Sequence, residues 1–339
     1  MRCWWVVGLV MLMVGCGTPS APTTPVKTSG TGSPLAAKPQ AVTIALNWFP
    51  EAEHGGFYAA LVHGYYAEAG LDVTIQPGGP NTPVLQQAAA GRVDFAVDNA
   101  DKLLLARAQE ADVVAVMAPI QNSPRCLLVH ADSGINTFDD LARQTDFTIS
   151  MSVGQPFARF LAKRLDLSGL KTAPYSGNVA PFLLNQRSAQ QGYSFSEPFV
   201  ARQQGAETKL LMVSDLGFNT YTSLLVTSRS HIKKQPDLVR KVVAASVRGW
   251  RKYLESPEET NQFIHEQNPE MALDVLAFGA RDLKPLCLPE GLAPDRLGAM
   301  TAERWETLTQ QLRDIEALTD GKVQAGEAYS TAFLPTIKP

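Results

Sequence analysis

"NWFPEAEHGGFYAALVHGYYAEAGLDVTI" (Asn47–Ile75) is the stretch from which the fold can be read. It is entered by a β-branched apolar run, "AVTIALNW" (41–48), which reads as a strand. Its middle, "GFYAALVHGYYAEAG" (56–70), reads as one helix: Phe57, Ala60, Leu61, Gly64 and Tyr65 share a face at i, i+3, i+4 spacing, and Gly70 is the C-terminal stop. Its end, "LDVTIQ" (71–76), alternates Leu71, Val73 and Ile75 and reads as a second strand. A Trp, a His and a Gly pair sit where the first strand gives way to the helix, a turn that is usually polar and plain. This one looks built to receive something flat.

The alternation continues outward. Thr82 is a candidate N-cap with Pro83 at the first helical position of "VLQQAAAG" (84–91). Then come a strand "VDFAV" (93–97), a helix "KLLLARAQEA" (102–111) and a strand "DVVAVMAPI" (112–120). Short links between such elements predict right-handed crossovers and a parallel sheet. The pattern pauses at "QNSPRCLLVHADSGI" (121–135). A second set follows: strand "DFTISMSVG", helix "QPFARFLAKRLDL", helix "APFLLNQRSA", then "GYSFSEPF" and "KLLMVSD". "YTSLLVTS" (221–228) reads as a strand returning to the first set, and the chain from about Pro236 is mostly helical. The expectation is two α/β lobes, 41–122 with 222–339 and 123–221, joined by a two-segment hinge.

The N-terminus stands apart. "MRCWWVVGLVMLMVGC" (1–16) has one Arg, then an apolar run, then Gly15 before Cys16, the order of a secretory signal. Its "MVGC" end resembles a bacterial lipobox with Met13 where Leu is usual, so Cys16 is a candidate lipidated residue; an ordinary signal with an incidental Cys is the alternative. Gly17–Gln40 is rich in Pro, Thr, Ser and Gly and reads as a disordered tether. The expected location is extracytoplasmic, lipid-anchored to a bacterial membrane. Cys126 and Cys287 are the other thiols of the folded part, and pairing or separate burial are both open. A formal net charge of -3 without a basic stripe argues against nucleic acid as a partner.

Ligands of open parallel sheets bind outside the carboxyl ends of the strands. Those ends carry Asn47, Trp48 and His54, then Gly78 and Gly79, then Asp98 and Asn99, then Gln121 and Asn122. In the second set they carry Ser152 and Gly154, Tyr175 with Ser176, and Tyr193 with Ser196 and Glu197. Aromatics, amides and a carboxylate recur, and no Lys or Arg does. Such a set suits a flat, polar, uncharged or mildly cationic heterocycle. Plain alternatives remain: Trp48 as a core or rim aromatic, His54 as a solvated residue near a helix start, Glu197-Pro198 as a helix start, and the Gly pair as a simple turn. The sequence holds no nucleophile elbow, no Walker loop and no G-x-G-x-x-G after a strand, and "EAEH" (51–54) lacks a second His at helical spacing for a metal.

These residues resemble the thiamine-pyrimidine-precursor family of substrate-binding proteins, itself related to sulfonate and nitrate binders of ABC importers and to yeast-type pyrimidine synthases. The family's opening has W-x-P, then H-x-G-x-Y, then a helix ending G-Y-[YF]-x-x-x-G-[LV]-D-V. Here Trp48, Pro50, His54, Gly56, Tyr58, Gly64, Tyr65, Tyr66, Gly70, Leu71, Asp72 and Val73 fill those places, and "GYSFSEPFVARQQG" is similar to a later Glu-Pro segment. The resemblance, over about residues 42–255, implies a type II periplasmic-binding fold that closes on its ligand. It implies an importer permease and ATPase as partners. It also implies an aromatic pocket with an acidic residue, carried here to Trp48, His54 and Glu197. The expected function is capture of a thiamine pyrimidine precursor of hydroxymethylpyrimidine or formylaminopyrimidine type, with riboflavin, sulfonate or nitrate as alternative solutes. The synthases carry a cysteine-rich stretch and supply a His to a pyridoxal-phosphate reaction. Cys126 and Cys287 stand alone here, so no cofactor and no enzyme activity are expected, a synthase-like enzyme being the further alternative.

Overall fold

The computed structural model describes residues 38–319 and 321–335; the signal, Cys16 and the tether up to residue 37 lie outside them. The first set of elements is β1 (Gln40–Ala45), a 3-10 turn (Ala52–His54), α1 (Gly55–Val62), α2 (Tyr65–Glu68), β2 (Leu71–Gln76), α3 (Val84–Ala89), β3 (Phe95–Asp98), α4 (Ala100–Ala108) and β4 (Val113–Met117). The single helix expected over 56–70 is two. Gly64 adopts φ 72°, a left-handed conformation that breaks the helical ladder and that glycine takes at little steric cost. The second set is β5 (Arg125–His130), α5 (Phe138–Ala142), β6 (Phe147–Ser150), α6 (Pro156–Arg164), β7 (Leu170–Ala173), α7 (Ala180–Leu184), β8 (Ser188–Tyr193), α8 (Glu197–Gln203) and β9 (Thr208–Met212). β10 (Leu224–Ser228) then leads to α9 (Arg229–Lys234), α10 (Pro236–Glu255), α11 (Glu258–Gln267), α12 (Leu273–Cys287) and α13 (Ala302–Asp314).

The strands form two five-stranded sheets, β2-β1-β3-β10-β4 and β7-β6-β8-β5-β9. Both are mixed, where the crossover pattern predicted a parallel sheet. β10 runs antiparallel to β3 and β4, and β5 runs antiparallel to β8 and β9. The reason is the connectivity. β5 and β10 are the first strands after each passage between lobes, so they enter their sheets from the opposite end to the βαβ strands. The segment expected to pause, 121–135, therefore contains β5, a buried inner strand paired between β8 and β9.

Helices α1 and α10 approach closely through glycine. A Cβ at Gly56 would lie 2.0 Å from Trp250 Cγ, and one at Gly249 would lie 2.2 Å from the Gly56 carbonyl oxygen. The bare backbone lets Trp250 and Phe57, both fully buried, pack edge to face at 5.7 Å. This fixes the start of α1, and with it the turn that follows β1. Cys126 and Cys287 are separate buried thiols in different clusters of the core.

The two passages between lobes are tied to each other and to the C-terminal helices. Asn219 accepts from Ser123 N at 2.8 Å and donates to Asn122 Oδ1 at 3.0 Å. Arg304 on α13 lies over the Tyr221 ring, 3.8 Å from its centroid, and donates to the carbonyls of Gln121 and Asn219. One guanidinium thus holds both passages. Among the described residues, no helix is long and apolar enough to cross a membrane.

Candidate binding cleft

The carboxyl ends of β1 and β3 face the other lobe. The chain leaving β1 turns at Asn47–Pro50 and places Glu51, Glu53 and His54 in buried positions. His54 Nε2 faces Asn47 Oδ1 at 3.2 Å and Glu53 Oε1 at 3.3 Å. Burial pushes the imidazole down to about 3, so the ring is neutral, and with two acceptors beside it Nε2 carries the proton. Its Nδ1 is a buried acceptor with no partner. His54 therefore braces the turn from beneath. Trp48 is half-buried, with its ring 5.5 Å from Phe49 and its carbonyl accepting from Gly78 N. Gly78 is required there, because a Cβ would lie 1.9 Å from the Leu46 oxygen.

At the end of β3, Asp98 accepts from Asn99 N at 2.9 Å and sits 3.8 Å from Lys102 Nζ. Asn99 then reaches across the lobes. Its side-chain N donates to the Tyr193 hydroxyl at 3.1 Å, and its oxygen accepts from Ser223 N at 3.1 Å. On the second lobe Glu197 accepts from Tyr193 N at 2.8 Å and from the Tyr175 hydroxyl at 2.7 Å. The carboxylate opens α8, with Pro198 in its first turn, whereas the sequence placed it at a strand end; β8 has already finished at Tyr193. Both Glu197 oxygens hold aromatic residues of the second lobe in place.

Between the lobes lies a small cavity of ≈ 20 Å³, lined by Asn99, Asp101, Arg125, Phe157, Tyr193 and Thr222 among others. That is room for about one water molecule, against several hundred Å³ for a typical small-molecule site. A heterocycle enters this position only if the lobes part. Of the residues expected from sequence, Asn99, Tyr193, Tyr175 and Glu197 form one hydrogen-bonded chain across it. Trp48, Gly78 and Gly79 stand together at the β1 turn. Asn122 belongs to the hinge. Ser152 donates from its backbone to Gln191 at 2.7 Å, and Gly154 is exposed with open space around it.

The electrostatics were largely unforeseen. Burial, with the charges of Glu53 and Glu197, raises the Glu51 carboxyl well above its ordinary range. Burial pushes Glu53 up to about 7 against the opposing charge of Arg125 and a 3.4 Å hydrogen bond from Ser223. Burial likewise takes Asp98 to about 6 and raises Asp101. One Asp101 oxygen is buried without a partner. The expectation that no Lys or Arg lines the site is corrected by Arg125, which lies over the rings of Tyr193 and Phe157 at 4.3 and 4.8 Å. It opens β5, and because β5 is antiparallel its amino end is the one at the cleft. A rule that searches the carboxyl ends of strands passes over it. Glu51 and Glu53 were in view as a weak metal motif, and the signal that would have found them is a carboxylate pair placed directly after a strand end.

The NMT1/THI5-like family profile matches residues 51–260. The chain belongs to this family. A riboflavin-binding protein of Chloroflexus aurantiacus is 29% identical over 96% of this chain and 95% of its own length. A formylaminopyrimidine-binding protein of Halalkalibacterium halodurans is 22% identical over 86% of this chain and 90% of its own. A 4-amino-5-hydroxymethyl-2-methylpyrimidine phosphate synthase of Legionella pneumophila is 24% identical over 68% of this chain and 74% of its own. The periplasmic aliphatic sulphonate-binding protein of Escherichia coli overlays with a TM-score of 0.66 at 16% identity, over 86% of this chain and 92% of that one. At that identity the likeness carries the fold, a two-lobed periplasmic-binding architecture.

Proposed function

We propose that the chain is the extracytoplasmic solute-binding component of an ABC importer, not an enzyme, and that its lobes close on an aminopyrimidine of the thiamine-precursor class. The observation that carries this reading is the cleft: an interlobe Asn99–Tyr193 bond, aromatic rings on the second lobe and four buried carboxyl groups on the first, with one guanidinium among them. Carboxyl groups accept from ring and exocyclic N–H donors, and the rings cover a flat face. A sulfonate or nitrate ion would meet four buried carboxyl groups, in surroundings that already resist negative charge, against one guanidinium, so the anion-binding reading is disfavoured. The formylaminopyrimidine-binding relative supports the pyrimidine. A second reading, riboflavin, is favoured by the riboflavin-binding relative that spans 96% of this chain. Lipid attachment at Cys16 would keep the protein beside its permease and ATPase.

The test is to denature protein purified from its natural host and identify the released small molecules by mass spectrometry. An aminopyrimidine or a flavin supports the reading. A sulfonate or other anion released in stoichiometric amount overturns it.

A further inference from the structure

The family reading leaves the chemical identity of the heterocycle open, and Arg125 bears on it. Its guanidinium lines the interlobe cavity and lies over two aromatic rings. Ring faces attract the cation without supplying an oxygen or nitrogen acceptor for its N–H groups. Among the described residues no carboxylate lies within ion-pair distance of it, and its side chain makes no hydrogen bond. Its charge is nonetheless felt by Glu51, Glu53 and Asp101. On the opposite wall Asp101, 8% exposed, presents a buried oxygen without a partner. The cavity thus has fixed donors on the second lobe and a fixed acceptor on the first.

Resting on the solute-binding reading above, we infer that Arg125 is a specificity residue that selects heterocycles bearing a carbonyl oxygen, which it grips from the second lobe while Asp101 takes an N–H from the first. A guanidinium has no acceptor and needs one in the ligand. The surrounding carboxyl groups disfavour an anion, so the acceptor is neutral. A carbonyl oxygen offers two in-plane lone pairs to the two parallel N–H groups of the fork, where an aromatic ring nitrogen offers one. The formyl group of a formylaminopyrimidine and the dione ring of riboflavin both qualify. A hydroxymethylpyrimidine, with no carbonyl, does not.

The probes are formylaminopyrimidine, riboflavin and hydroxymethylpyrimidine, titrated into the parent protein, Arg125→Met and Arg125→Lys. A hydrogen bond to a charged group predicts that the parent prefers at least one carbonyl-bearing probe over hydroxymethylpyrimidine by roughly tenfold or more. In Arg125→Met that preference should collapse to within about threefold. Arg125→Lys keeps the charge and loses the fork, so the preference should fall part-way, and it carries the test if the Met variant does not fold. A parent without preference, or an Arg125→Met that weakens all probes while keeping their ratio, overturns the inference and leaves the solute-binding reading standing. A parent that binds none of the three overturns both.

Discussion

The Asn99 side chain donates to the Tyr193 hydroxyl at 3.1 Å, and this bond joins the end of β3 on one lobe to the end of β8 on the other. Asn99 also accepts from Ser223 N, which lies on the chain's return to the first lobe. One amide therefore ties the cleft to the hinge. Removing its two ends should have different costs. Tyr193→Phe deletes one hydroxyl and is expected to lower unfolding free energy by about 0.5–1.5 kcal/mol. Asn99→Ala also leaves the buried Ser223 N–H without an acceptor, adding about 1–3 kcal/mol. Urea unfolding of the two variants checks the order; equal losses would show that the Ser223 contact contributes nothing.

Arg304 holds the carbonyls of Gln121 and Asn219, one on each passage between the lobes. Arg304→Met keeps the stem against Tyr221 and strips both carbonyls of their donor. Hydrogen bonds to charged groups contribute about 1.5–3 kcal/mol, so the loss should be of that order. Arg304→Lys should recover part of it, since an ammonium reaches one carbonyl more readily than two. Denaturant melts of the three proteins give the comparison.

Glu53 provides a pH signature. Its folded carboxyl is pushed up to about 7 from an ordinary 4.5, so between those values the folded state binds more protons than the unfolded one. Its contribution to stability is fully present below about 4.5 and is lost as pH rises through 7. Asp98, pushed up to about 6, acts in the same direction over a lower window. His54, pushed down to about 3 from 6.5, acts in reverse: its contribution is present above 6.5 and is lost as pH falls. Glu53→Gln should therefore gain stability relative to the parent as pH is raised from 4.5 to 7, and hold a constant difference above that. Unfolding curves across pH 4–8 for both proteins check the sign; a relative loss on raising the pH would contradict the burial of an uncompensated carboxylate.

Lipid attachment is testable without the fold. On the proposed lipobox reading, in which acyl chains on Cys16 supply the hydrophobic anchor, Cys16→Ser should move the protein from the membrane fraction to the soluble extracytoplasmic fraction. Recovery of the variant with membranes would contradict the lipobox reading.

The elements that obey local rules were legible in the sequence. β1, β2, β3 and β4 follow from alternation and β-branching, and the returning strand β10 was placed in the right sheet. β5 was missed because it follows the first lobe-to-lobe passage with no helix between it and β4, and the βαβ rhythm gives no cue for it. That omission hid Arg125. The broken helix at Gly64 was also missed, since an isolated glycine is compatible with helix spacing until its φ is known. The strand-end rule named Asn99 and Tyr193, which the fold brings together across the lobes, and Glu197, which opens α8 and does not end a strand. It could not show that Glu197 accepts from Tyr175 and from the Tyr193 backbone, nor that Glu51, Glu53 and Asp101 are buried together, because burial depends on the packing of α1 against α10 and on the second lobe.

Whether the cleft holds a neutral or weakly basic nitrogen heterocycle can be measured by calorimetric titration of the protein, first stripped of small molecules by unfolding and refolding. The titrants are formylaminopyrimidine, riboflavin and an alkanesulfonate. Saturable one-to-one binding of at least one heterocycle is expected, weakened more than about tenfold in Tyr193→Ala, which removes an aromatic ring from the lining of the interlobe cavity, with no binding of the sulfonate. Saturable binding of the sulfonate with no response to either heterocycle would contradict the heterocycle reading.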